Sequence, residues 1–310
     1  MALLKLIPDQ TNIDFIGKRM IAFAFTLLLV IAGGWALTSK GLNLGIDFRG
    51  GILIDASHTA AVDVAALRTQ LGALQLGEVS LQTFGKDNTI LIRLQQQEGG
   101  DTANAQAVEK IKASLGDGWT YNRSEAVGPT VGKELLKTGI YATLFSMLAI
   151  MAYVAFRYEW QFGVAAFAST VHDVFVSFAL VSLMGWEFNL TTVAALLLLA
   201  GYSVNDTVIV FDRIRENLRR YKTRPLTEII NLATNSTLSR TIKTSLTTAL
   251  AILPMFFLGG EGLINFTGVI LWGIVIGTFS STYVAAALLL YMPPLTMGKT
   301  EQQIAAAQAG

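Results

Sequence analysis

Six long apolar stretches constrain this chain of 310 residues more than any other feature of its sequence. A helix rises about 1.5 Å per residue and the hydrocarbon core of a bilayer is about 30 Å thick, so one membrane span needs roughly 20 apolar residues. The sequence therefore predicts an α-helical polytopic membrane protein. Its six transmembrane helices are expected at residues 20–38, 138–156, 162–184, 190–211, 240–258 and 263–292.

The composition excludes several other classes of protein. Only 15% of the residues are charged, whereas soluble globular domains carry about 25%. The absence of cysteine excludes disulfides, thiolate metal sites and a cysteine nucleophile. A net charge of +1 argues against nucleic acid as a partner, because bulk nucleic-acid binding needs a marked basic excess.

The orientation follows from the distribution of lysine and arginine. The short loops 185–189 and 259–262 contain neither residue. The segments on the other side of the membrane hold most of the lysines and arginines that lie near the spans. Cytoplasmic loops carry the basic excess in membrane proteins. The N-terminal residues 1–19 and the tail 293–310 are therefore both expected in the cytoplasm.

Residues 39–137 form the one large region outside the predicted spans, on the side away from the cytoplasm. Alternating and helical apolar patterns predict strands at 52–57, 77–84, 89–95 and 119–127, with helices at 60–72 and 102–115. This βαββαβ order is that of an extracytoplasmic α+β ferredoxin-like domain. Its helices would cover one face of the sheet, and the other face would need a partner.

The segment 212–239 is basic and amphipathic, and Pro225 divides it. Charge pairs three or four residues apart favour a helix that lies on the inner membrane surface. Attraction to anionic membrane lipids and docking to a protein partner both remain open as its role.

Few charged residues lie at bilayer depth, where each costs about 2.5–3.5 kcal/mol. They are His172 and Asp173 in the third span and Asp206, beside Asn205, in the fourth. Arg240 begins the fifth span, and Thr244 continues its polar face one turn deeper. Asp206 and Arg240 are expected at similar depth, so they can meet if the fourth and fifth spans are neighbours.

Such a pair has the properties of a switch. Protonation of Asp206 would cancel its attraction to Arg240, so that proton uptake could be coupled to helix movement. A static buried ion pair, or an arginine that reaches toward the interface, is the structural alternative. A neutral His172 bonded to Asp173 can likewise be purely structural.

Other chemical patterns fail. The run from Gly128 to Lys133 has one residue too few for a phosphate loop, and Glu134 stands where Ser or Thr must hold magnesium. With only two histidines, a multi-histidine metal site is unavailable. The sequence predicts no catalytic residues, no metal and no cofactor other than a coupling ion.

Four motifs, in order along the chain, resemble those of the SecD/SecF family of protein-export membrane proteins, which belongs to the resistance-nodulation-division superfamily. They are GIDFRGG (45–51), EAVGPTVGKEL (125–135), GYSVNDTVIVFDRIREN (201–217) and NSTLSRTIKTSLTT (235–248), together with the His172-Asp173 pair. The resemblance implies a bacterial inner-membrane protein that works with a SecD-like subunit beside the SecYEG channel. It would use the proton-motive force to move an exported polypeptide outward.

The resemblance also implies roles for particular residues. An intramembrane Asp and an Arg couple ion flow to movement in this family, and by motif they fall on Asp206 and Arg240. Asp47, Phe48, Gly50 and Gly51 match the family motif where the chain enters the outer domain, although a simple turn also explains them. The coupling ion is H⁺, with Na⁺ left open.

Two other interpretations remain. One is half of a small-molecule or lipid exporter of the same superfamily. The other is a membrane scaffold without a coupling ion, in which all the buried charges are structural.

Overall fold

A computed structural model describes residues 11–77, 79–84, 86–259 and 261–295. In chain order its first part contains α1 (Arg19–Ser39), β1 (Asn43–Leu44), α2 (Ile46–Arg49), β2 (Gly51–His58), α3 (Val64–Gly72), β3 (Val79–Phe84), β4 (Lys86–Leu94), α4 (Asp101–Leu115) and β5 (Trp119–Val127). The second part contains α5 (Pro129–Arg157), α6 (Trp160–Met184), β6 (Glu187–Phe188), α7 (Leu190–Arg220), α8 (Leu226–Leu258) and α9 (Glu261–Ser280). A π turn and two short helical turns then extend the chain to Tyr291.

The α+β domain has the predicted ferredoxin-like arrangement. Its antiparallel sheet has the strand order β3-β4-β2-β5, so the first strand of the domain lies between the third and the fourth. Alternate residues of the strands pack against α3 and α4 on one face of the sheet, where burial of apolar side chains stabilises the domain. The fully buried members of this core are Ile52, Ile54, Ala56, Leu71, Ile90, Ile92 and Ile111.

The other face of the sheet lies over one end of the helical bundle, which we call the domain end. Leu53 and Leu91 on this face pack against Ile46 of α2. Arg93 of β4 forms an ion pair with Glu187 in the loop between α6 and α7. The sheet face that was predicted to need a partner thus packs against the membrane part of the same chain.

Among the described residues, six helices are long and apolar enough to span a membrane, as the sequence predicts. The central ones are α6, α7 and α9, which bury more than half of their apolar windows. The outer ones are α1, α5 and α8; α8 buries only 11% of its window inside the chain. Since α7 packs against α5, α6, α8 and α9, it lies at the centre of the bundle.

Three helices extend beyond the predicted spans. The second span was expected to begin at residue 138, but α5 starts at Pro129 and carries the helix directly from β5 into the bundle. The segment 212–239 does not form a separate surface helix, because α7 continues to Arg220 and α8 begins at Leu226. Only the residues around Pro225 interrupt the helix, and no proline lies between 190 and 220.

Candidate functional site

Two carboxylates are buried in the centre of the bundle, as the scarcity of charge in the spans predicted. Asp173 on α6 is 0% exposed and Asp206 on α7 is 1% exposed. The two helices pack against each other, but the surroundings of the two carboxylates differ. One is fully supplied with hydrogen-bond donors and the other has none among the described residues.

Asp173 is held by donors from three helices. Its Oδ2 accepts hydrogen bonds from the Ser203 hydroxyl at 2.5 Å and from the Ser280 hydroxyl at 2.6 Å. The Nδ1 of His172 lies 2.9 Å from Oδ1. Ser169 adds a further hydrogen bond to Ser280. Because a buried polar group is stable only when it is hydrogen-bonded, this arrangement fixes α6, α7 and α9 relative to one another.

Asp206 lies only one turn along α7 from Ser203, yet neither of its carboxylate oxygens has a hydrogen-bond partner within the described part of the chain. The helices α7 and α8 are neighbours, as the expected meeting with Arg240 requires. Arg240 is close enough to exert a Coulombic attraction on Asp206. The two side chains nevertheless form no ion pair, and Arg240 is exposed.

The guanidinium of Arg240 faces a cavity of about 590 Å³ instead, at the end of the bundle opposite the domain. The other two polar residues predicted nearby do not reach Asp206 either. Asn205 is exposed on the outside of α7, because successive side chains on a helix point about 100° apart. The Thr244 hydroxyl donates to backbone carbonyls of its own helix.

The motif at the start of the domain joins three parts of the structure. The carboxylate of Asp47 accepts a hydrogen bond from the Leu190 backbone N–H at 2.9 Å, which supplies an acceptor to the otherwise unpaired first turn of α7. Phe48 is buried and its ring lies 5.3 Å from that of Phe188. Gly50 and Gly51 both have positive φ angles, at 76° and 132°. In this structure the motif has a structural role.

Sequence reasoning missed the serines around Asp173 and the Arg93–Glu187 pair. A serine in a membrane span is an ordinary residue, and Ser280 lies 107 positions from Asp173, so no local pattern joins them. Glu187 is partly buried between the domain and the bundle, and this burial raises its pKa against the opposing effect of Arg93. Its partner lies on a strand 94 residues earlier, which only the docking of the domain reveals.

The fold and the site together define a multi-pass membrane protein whose central helix carries a carboxylate without a hydrogen-bond partner among the described residues. Two family models match the chain: "Protein export membrane protein SecD/SecF, C-terminal" at residues 107–294 and "SecD/SecF GG Motif" at residues 35–57. The chain belongs to the SecD/SecF family of protein-export membrane proteins.

Relatives from several bacteria are similar along nearly their whole length. The protein translocase subunit SecF of Rickettsia felis is 41% identical over 290 residues, which cover 92% of this chain and 94% of that protein. The protein translocase subunit SecF of Rhodobacter capsulatus is 41% identical over 304 residues, covering 93% and 91%. The names of these relatives describe a transport role.

Two solved structures are similar in fold. The crystal structure of SecDF from Thermus thermophilus, a translocon-associated membrane protein, matches with a TM-score of 0.81 and 38% sequence identity, covering 92% of this chain and 39% of that one. A crystal structure of SecDF in a super-membrane-facing form matches with a TM-score of 0.66 and 36% identity, covering 98% and 41%. The chain thus spans about two fifths of each SecDF chain.

Proposed function

We propose that this chain works with a SecD-like subunit beside the SecYEG channel and uses the proton-motive force to drive export of polypeptides across the bacterial inner membrane. The domain end then faces away from the cytoplasm, and both termini lie in the cytoplasm. One observation carries the proposal: Asp206 is buried in the central helix without a hydrogen-bond donor, while Arg240 on the next helix is free of any ion pair within the described residues.

The pair can exist in two arrangements. Charge at bilayer depth is costly, so an ionised Asp206 favours the approach of Arg240, and a protonated Asp206 no longer attracts it. Passage of a proton through Asp206 would therefore alternate the two arrangements and shift α8 against α7. Because α5 runs without interruption from the sheet into the bundle, helix movement can reach the domain.

The share of the SecDF chains that this chain matches supports a partner on a separate chain. This chain matches only two fifths of the SecDF chains, and its α8 leaves most of its apolar surface uncovered. On the exposed side of α7, Gly201 and Asn205 lie one turn apart. A small residue and a polar amide are poor neighbours for lipid tails but typical of helix–helix contacts in membranes. A SecD-like subunit seated here would cover them.

Translocation into inner-membrane vesicles tests the proposal. Asp206→Asn preserves the shape of the side chain but cannot carry a proton, so we expect it to abolish the stimulation of translocation by the proton-motive force and to leave translocation without a gradient unchanged. Glu228→Gln, which changes an exposed acid at the start of α8 outside the cavity that Arg240 lines, is the control and should retain stimulation. Normal stimulation in Asp206→Asn would refute the role of Asp206, and stimulation by a sodium gradient alone would identify Na⁺ as the coupling ion.

A further inference from the structure

The cavity that Arg240 faces is strongly basic. It has a volume of about 590 Å³ and lies between the ends of α7 and α8 that are remote from the domain. Its charged lining residues are Arg213, Arg215, Arg219, Arg240, Asp212 and Glu216. Four arginines against two carboxylates leave an excess of two positive charges within one concave site, and a volume of this size suits a small ligand.

One carboxylate of the cavity is already paired. Glu216 is bonded by Arg213 at 2.5 Å. Asp212 lies near Tyr158, whose pKa is raised to about 12 by burial of the phenol and by the Asp212 carboxylate. Arg219 and Arg240 form no ion pair within the described ranges.

Arg215 adds a third donor with unused capacity. Its guanidinium lies over the ring of Tyr158, 5.5 Å from the ring centre, which restricts the side chain. Its Nε is buried and has no hydrogen-bond partner among the described residues. A buried N–H without an acceptor is costly, so a rotation of the Arg215 side chain toward an anion in the cavity would be favoured.

The position of the cavity fits the headgroup layer of a membrane. The 31 residues of α7 span roughly 46 Å at 1.5 Å per residue, longer than a hydrocarbon core of about 30 Å. Asn189 caps the helix at the domain end, so the excess length projects at the other end, where the arginines lie. Basic pockets between helices at this depth are suited to phosphate-bearing headgroups.

We propose that this cavity is a binding site for a phosphate group, presented either by the headgroup of an anionic phospholipid or by a soluble phosphate. The planar guanidinium groups of Arg219 and Arg240 would each offer two parallel N–H donors to the phosphate oxygens, a geometry that a lysine does not provide. Separate measurements with phosphatidylglycerol and with inorganic phosphate distinguish the two sources.

A phosphate bound in the cavity would affect ion coupling. Only this effect rests on the proposed function. A phosphate bound to Arg240 competes with Asp206 for the same guanidinium and holds it in the cavity. Binding and coupling can fail separately, because binding is measured on the protein without translocation.

The test compares two neighbouring arginines. Arg219 lines the cavity, whereas Arg220 lies over the ring of Tyr221 outside it, so Arg219→Gln and Arg220→Gln remove the same charge from adjacent positions. The full chain is placed in nanodiscs of mixed phosphatidylglycerol and phosphatidylcholine, and the phosphatidylglycerol retained after release is counted by native mass spectrometry. Loss of a charge-assisted contact should weaken retention roughly tenfold in Arg219→Gln and leave Arg220→Gln unchanged.

A second arm uses inorganic phosphate, titrated calorimetrically into the chain in nanodiscs of phosphatidylcholine alone. Saturable binding here, lost in Arg219→Gln only, would identify a soluble phosphate as the ligand, and retention of phosphatidylglycerol without it would identify the lipid. The proposal would be overturned if both variants lost binding equally, or if neither phosphatidylglycerol nor phosphate bound. It would also be overturned if a bound SecD-like subunit displaced the lipid. Unchanged thermal unfolding of Arg219→Gln confirms that the fold is intact.

Discussion

At the scale of single residues, the difference between Asp173 and Asp206 is the number of donors within reach. Two serine hydroxyls and His172 satisfy Asp173, whereas Asp206 has no partner within the described residues. In a low-dielectric interior a satisfied polar group rigidifies its surroundings, and an unsatisfied one is costly. We therefore infer a structural role for Asp173, and the proposed ion coupling depends on Asp206.

The structural assignment of Asp173 predicts the effect of removing one donor. Ser280→Ala takes away a hydrogen bond that joins α9 to α6, so it should lower the free energy of unfolding by about 1 kcal/mol, the usual size of such bonds between membrane helices. Ser281→Ala is the matched control, because the Ser281 hydroxyl bonds only a carbonyl of its own helix. Equal destabilisation of the two variants in detergent-based unfolding would contradict the assignment.

Gly51, at the start of the domain, is required by its backbone. Its φ of 132° is strained for any other residue, and a Cβ there would lie 2.6 Å from the carbonyl oxygen of Leu94. We expect Gly51→Ala to lower the free energy of unfolding by about 1–3 kcal/mol more than Gly41→Ala. Gly41 also has a positive φ, of 68°, but open space around it. A thermal melt that does not separate the two variants would refute this role.

At the scale of elements, apolar periodicity predicted the spans and the βαββαβ order because both depend on local sequence. The lengths of α5, α7 and α8 were underestimated, because a helix continues past the hydrocarbon core wherever its residues allow it. The scarcity of charge in the spans singled out Asp206 and Arg240 as candidates, but their side chains form no ion pair. Their open arrangement could not be predicted, since it depends on the rotation of α8 against α7.

The loop between α6 and α7 gives a prediction about pH. Burial raises the pKa of Glu187 above its ordinary value of 4.5, so protonation of Glu187 favours the folded state. The stability of the native chain relative to Glu187→Gln should therefore be greatest in acid and should decrease as the pH rises through the pKa of the folded state.

Arg93→Gln removes the attraction that opposes this shift and should enlarge the pH dependence. Denaturant unfolding at a series of pH values measures both effects. A relative stability of the native chain that increases with pH would show instead that the ion pair outweighs burial.

At the scale of the whole molecule, the chain is about two fifths of the SecDF structures it resembles, and its outer helices leave large apolar surfaces. The domain is docked through Arg93 and Glu187 onto the bundle of the same chain, and among the described helices α1, α5 and α8 leave most of their apolar surface exposed. The exposed surface of α7 contains Gly201 and Asn205, close to Asp206.

A bulky residue at that surface should block the partner without disturbing the fold. A Cβ at Gly201 would meet no atom within 4 Å, so Gly201→Leu is tolerated by the chain itself. We expect it to abolish co-purification with a SecD-like subunit. Gly34→Leu on α1, where the space is equally open, should retain the partner. Loss of the partner in both variants, or in neither, would mean that the subunit binds elsewhere.

The central claim is that Asp206 takes up and releases a proton, and infrared spectroscopy of its carboxyl group tests this most directly. The full chain in nanodiscs is compared in acidic and alkaline buffer, and the C=O stretching band of protonated carboxyl groups is recorded in the difference spectrum. We expect a band that Asp206→Asn removes and Glu228→Gln retains. An identical difference spectrum in Asp206→Asn and the native chain would contradict it.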